Sequence, residues 1–167
     1  METRPPDAPL DGFFAPVRRR HPDVDIVVAP STEQAPSAEP VDAARVEAIL
    51  DRVAQTAVSV WAAVVGPAAP PAARWRFGPD DGTVVASVRA GATSPDGFGA
   101  LGALRDALEG DGWRVRRPPG EVARLAGVRD ALRVQASYAE STGALLLEVR
   151  SEPAHVGRVR ARELVGR

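Results

Sequence analysis

The residues that could do chemistry in this chain are few, and most stand alone. His21 and His155 lie near the two ends with no second His and no Cys at ligand spacing, a pattern that predicts surface residues rather than a metal centre. Cysteine is absent, which excludes thiolate nucleophiles, disulfides and Cys-based metal sites. A serine nucleophile needs a strained elbow and a histidine base. No Gly-x-Ser-x-Gly occurs, and Ser59 falls within a predicted helix without a partner. Gly97-Phe98-Gly99 comes near a phosphate loop, but with no parallel strand before it and no acidic residue at the right distance after it, the fragment reads as the start of a helix. Asp80 and Asp81 form a carboxylate pair inside Pro79-Asp80-Asp81-Gly82, where they shape a turn, and Glu109 and Asp111 flank a helix end. These readings argue against an enzyme and predict no cofactor.

Arginine is what remains. The chain has no Lys and no Asn, every basic side chain is Arg, and Ala, Val, Gly and Pro abound, the pattern that a very GC-rich genome imposes through codon choice. Arg74, Arg76, Arg89, Arg114, Arg116, Arg133 and Arg150 each fall on the polar phase of a segment that alternates with period two. Ser87, Gln135, Ser137, Val85, Leu146 and Glu148 share that phase. Guanidinium forks pair bidentately with carboxylate and phosphate, so such a face fits acidic peptides or nucleic-acid backbones. The plainer reading is a solvated face, since codon bias puts Arg wherever an exposed strand position needs a charge. Nucleic acid is disfavoured on two counts. Formal net charge is −1, and Trp75, Phe77, Trp113 and Tyr138 all fall on the inward phase, away from any base they would stack on.

These side chains need elements to position them. Asp42 is a fitting N-cap with Val41 and Val46 as a hydrophobic staple, and Val46, Ile49, Leu50, Val53, Ala57, Val60, Trp61 and Val64 continue a helical stripe to about Val65, where Gly66-Pro67 stops it. Arg74–Phe77 and Val84–Ala90 alternate on either side of an Asp-Gly turn, a strong hairpin signal. Ser94-Pro95-Asp96-Gly97 opens a second helix with Phe98, Leu101, Leu104 and Leu108 inward, and Gly97, Gly99 and Gly102 weaken its first turns. Trp113 and Val115 begin a third strand, and residues 122–128 read equally as a helical turn or a short edge strand. Leu132, Val134, Ala136 and Tyr138, then Leu145, Leu147 and Val149, flank a Gly-containing loop and form a second hairpin with one buried face. The order predicts an α+β fold: a two-layer sandwich of a mainly antiparallel sheet of about five strands with two helices on one face.

Outside residues 42–153 the readings are looser. Residues 1–41 form a Pro-rich arm holding an island: Leu10, Phe13, Phe14 and Val17 at helical spacing, then Arg18, Arg19, Arg20 and His21, then Val24–Val28. This island either docks at home or folds on a partner. Ser31–Pro40 reads as a linker, and residues 154–167 as an Arg-rich tail that frays. The N-terminus is polar and Pro-rich, unlike a secretory signal, and the longest uncharged run, 54–73, is broken by Gly66, Pro67, Pro70 and Pro71, which argues against a membrane span. A cytoplasmic location is expected.

Trp61 at the end of the first helix, Ala103-Leu104-Arg105-Asp106-Ala107-Leu108 followed by Gly112-Trp113-Arg114-Val115, and the closing Glu152-Pro153-Ala154 resemble a group of small actinobacterial domains that often occur as secreted lipoproteins. The resemblance spans about two thirds of the chain, from Ala43 to Gly157, and implies a domain without assigned activity or catalytic residues. This chain departs from the group in lacking the lipidated cysteine and the internal cysteine pair, with Ala154 at one cysteine position. The function expected is a non-enzymatic accessory or adaptor domain. It would bind another protein through Phe13, Phe14 and Arg18–Arg20 or through the Arg-bearing face, with a homodimer also open. The alternative is a small-molecule or nucleotide-binding module using the same face or a cleft beside the second helix.

Overall fold

The computed structural model describes residues 19–20, 39–67, 69–120 and 122–166. The chain divides into two units, Met1–Ser37 and Ala38–Arg167. In the first, Arg19 and Arg20 are exposed on helical backbone. Leu10, Phe13, Phe14, Val17, Arg18, His21 and Val24–Val28 lie outside the described residues.

The second unit is α+β. Helix α1 (Ala43–Val65) starts where the Asp42 carboxylate accepts a hydrogen bond from the Arg45 backbone N–H at 2.7 Å, and it ends at Gly66, whose φ of 99° favours glycine. Its length and mean hydropathy of 1.4 would suit a bilayer span, yet Val46, Val53, Ala57, Val60 and Trp61 lie in the protein core. Strands β1 (Arg74–Phe77) and β2 (Thr83–Thr93) form the Asp-Gly hairpin, with Gly82 at φ 73°. Helix α2 (Gly97–Gly110) follows, then β3 (Arg114–Arg116), β4 (Ala123–Arg129), β5 (Leu132–Ala139), β6 (Ala144–Ser151), β7 (Ala154–His155) and helix α3 (Arg158–Val165).

All seven strands join one antiparallel sheet in the order β1-β2-β6-β5-β4-β3, with β7 also paired to β2. Five of these strands correspond to the alternating segments in the sequence. Residues 123–129, ambiguous by periodicity, form a strand in the sheet interior rather than at its edge, because β3 and β5 each offer a free ladder beside it. Small residues Ala123, Ala126 and Gly127 blur its alternation.

The segment after Pro153 is ordered structure, which corrects the expectation of a frayed tail. Ser87 pairs with Arg150 and Val84 with Ala154, so the two residues Glu152 and Pro153 oppose Val85 alone, a β-bulge that separates β6 from β7. Pro153 has no N–H to give the ladder, and beside it the buried Ser151 hydroxyl accepts from the Ala86 N–H at 3.1 Å. Beyond the bulge, the Val156 and Gly157 N–H groups both donate to the Gly82 carbonyl, and Arg158 pairs with Asp81. Ala161 and Leu164 of α3 are then buried in the core beside Trp75 and Val156. The Val41 N–H donates to the His155 carbonyl at 2.8 Å, so the start of α1 is tied to β7.

The core lies between the sheet and its three helices. Val84, Ala86, Val88 and Ala90 of β2, Leu132, Val134, Ala136 and Tyr138 of β5, and Leu145, Leu147 and Val149 of β6 face it. Leu101, Leu104 and Leu108 of α2 meet them, but Phe98, expected inward, is 55% exposed and touches only its edge, in a T-shaped contact with Tyr138 at 5.3 Å.

Candidate functional site

The glycines at the start of α2 are the first place to look for an anion site, since Gly97, Gly99 and Gly102 stand at the full Gly-x-Gly-x-x-Gly spacing, which corrects the reading that the pattern is only approached. Local packing accounts for two of them. A Cβ on Gly97 would stand 2.0 Å from the Tyr138 ring, and one on Gly99 would stand 2.1 Å from the Asp96 carboxylate. That carboxylate caps the helix by accepting from the Gly99 N–H at 2.8 Å. A carboxylate held at the helix start repels phosphate, and β2 pairs only with antiparallel neighbours, so the geometry is not that of a nucleotide-binding turn.

Asp80 and Asp81 shape the β1–β2 turn, as expected. The Asp80 carbonyl accepts from both the Thr83 N–H and the Thr83 hydroxyl, and Asp81 pairs with Arg158. Ser59 donates to the Gln55 carbonyl one turn back. His155, expected at the surface, is half-buried in β7 opposite Thr83, with an enclosed Nδ1 that makes no hydrogen bond. The correction follows from the bulge, which draws this segment into the sheet. Among the described residues, no three His, Cys, Asp or Glu side chains gather.

The helix-free face of the sheet is where the predicted residues converge. Register places Arg74, Ser87, Arg150, Arg133, Val128 and Arg114 in one row across six strands, from one edge to the other. With strands about 4.8 Å apart the row is about 24 Å long. A second row holds Arg89, Glu148, Gln135, Ala126 and Arg116, and a third holds Gly91, Leu146, Ser137 and Arg124. Arg76, opposite Val85, completes the set. All seven sheet arginines singled out by alternation therefore share one face, and Arg124 joins them. Its strand was ambiguous in the sequence, so its phase was hidden there.

Charge on this face is unbalanced. Glu148 pairs with Arg89 at 2.8 Å, Glu152 at the bulge lies 3.7 Å from Arg133, and the Arg76 Nε donates to the Ser87 hydroxyl at 3.1 Å. Arg74, Arg114, Arg116, Arg124 and Arg150 have no carboxylate partner among the described residues. Arginine elsewhere is used differently: Arg129, on the inward phase of β4, donates to the Asp111 carbonyl at 2.7 Å and lies 4.8 Å from the Trp113 ring centroid.

The face is not flat. Gly91, Ala126 and Ser137 lie beneath a depression of about 540 Å³ bordered by Arg89, Arg124, Leu146, Glu148 and, from the β3–β4 loop, Pro118. A second depression of about 520 Å³ shares Arg89 and Glu148 and runs toward Arg76, Arg133 and Arg150. Phe77 borders this second one. Although on the inward phase, it is 62% exposed, because it ends the short edge strand β1 beyond the cover of the helices. Trp75, Trp113 and Tyr138 are buried as expected. No protein-family model, curated protein or solved structure matches this chain.

Proposed function

We propose that this protein is a non-enzymatic accessory module that binds an acidic segment of another protein across the open face of its sheet. The observation that carries the reading is the row from Arg74 through Arg150 and Arg133 to Arg114, which contains no carboxylate and meets one only where Glu152 at the bulge lies 3.7 Å from Arg133. Folding gains nothing from placing Arg150 directly opposite Arg133. Such a cost is intelligible if an anionic partner neutralises it. The edges favour a partner over a second copy, because antiparallel self-pairing of β1 or β3 would bring Arg74 against Arg76, or Arg114 against Arg116, of the second copy. In this reading Phe13, Phe14 and Arg18–Arg20 offer a separate contact.

The test is binding of a fluorescein-labelled, glutamate-rich dodecapeptide by the full chain, followed by anisotropy at increasing salt. Binding should weaken steeply with salt and be lost when Arg74, Arg133 and Arg150 are all changed to Gln. Affinity that is absent at low salt, or unchanged in the triple variant, would sink the proposal.

A second reading, a small-molecule or nucleotide-binding module, draws support from the depression between Arg89 and Arg124. A ligand that binds only the folded chain raises its melting temperature, so a thermal-shift screen with anionic metabolites separates the two.

A further inference from the structure

We infer that the depression over Gly91, Ser137 and Ala126 is an anchor pocket for one aromatic or large aliphatic side chain of the acidic segment that the sheet face binds. The inference rests on the acidic-partner reading and adds what that reading leaves open, the sequence the partner must carry.

Three observations meet here. First, Gly91, Ser137 and Ala126 are small or lack a side chain and stand in the two rows that also hold Arg89, Arg116 and Arg124, so register places the hollow among arginines. At the Gly91 end the Leu146 side chain folds over the glycine, whose Cβ would lie 3.2 Å from Leu146 Cδ2, so the open part of the hollow is over Ser137 and Ala126. Second, the wall is apolar. Leu146 is 58% exposed on a face rich in arginine, and Pro118 also lines the depression. A leucine left in water there gains free energy only when something apolar covers it. Third, Arg89 and Arg124 border the hollow on different sides, so carboxylates flanking an inserted ring would each meet a guanidinium.

Glu148 separates a peptide from a nucleic acid. This carboxylate sits at the centre of the face, with its side chain only 20% exposed and bonded to Arg89. It opposes a continuous phosphate backbone, which has no donors to offer it, but it accepts readily from peptide N–H groups. The occupant is thus an extended acidic peptide with one apolar residue between its acids, the arrangement in which a buried anchor gives affinity and rim charges give steering.

The experiment uses the full chain and two labelled dodecapeptides that differ at one central position, Phe in one and Ser in the other, between identical Glu runs. The Phe peptide should bind about tenfold or more tightly than the Ser peptide. Ser137→Leu, which fills the hollow, should reduce the ratio of the two peptides' affinities, both measured on this variant, to about twofold or less. Leu146→Ala truncates a side chain that is 58% exposed and should cut the preference in the same direction, with the variant's melting temperature measured alongside. Equal binding of both peptides to the wild type would overturn the pocket and leave the acidic-partner reading standing. Binding of neither would overturn both. Tighter binding of a dodecamer oligonucleotide than of the Phe peptide would overturn the peptide assignment.

Discussion

Arg133 and Arg150 are direct cross-strand partners on the β5–β6 ladder, two guanidinium-bearing residues at the centre of an exposed sheet face. Like charges opposite one another destabilise a sheet. Arg150→Glu should therefore raise stability by about 0.2–1 kcal/mol in urea denaturation, with the gain shrinking at high salt, while lowering affinity for acidic peptides. A variant that is both less stable and equally good at binding would show that the pair has a structural role.

The glycines of α2 should respond in opposite directions. Gly97→Ala drives a methyl into the Tyr138 ring and should cost about 1–3 kcal/mol, whereas Gly102, with open space around its Cβ position, should gain about 0.5–1 kcal/mol when changed to Ala. Chemical denaturation of the two variants decides it, and equal effects would mean that helix propensity alone governs this turn.

Helix α3 belongs to the core. Leu164→Ala should destabilise the domain by about 2–5 kcal/mol, against about 0.5 kcal/mol or less for the exposed Arg162→Ala. If both variants melt with the wild type, the C-terminal segment contributes no packing energy.

At the bulge before β7 the Ser151 hydroxyl supplies the acceptor for the Ala86 N–H. Ser151→Ala leaves the Ala86 N–H buried without an acceptor and should cost about 1–3 kcal/mol. Amide exchange gives an independent check, because protection at Ala86 should fall by more than at Val88, whose ladder is continuous.

Much of the fold was legible because two periods separate cleanly in this sequence. Val46 to Val64 repeats at 3.6 residues, and the inward residues of β1, β2, β3, β5 and β6 repeat at two, so these elements and the common phase of the seven arginines follow from local pattern alone. Alternation fixes which face a side chain takes. It says nothing about which residues stand beside it, since that depends on register between segments far apart in the chain. The row from Arg74 to Arg114, the addition of Arg124, and the hollow over Gly91, Ser137 and Ala126 exist only once the strands pair. The same is true of β4, β7 and α3. Each is too short or too rich in small and charged residues to show a buried face by itself, and each becomes an element because the rest of the sheet presents a free ladder or an apolar surface at that place.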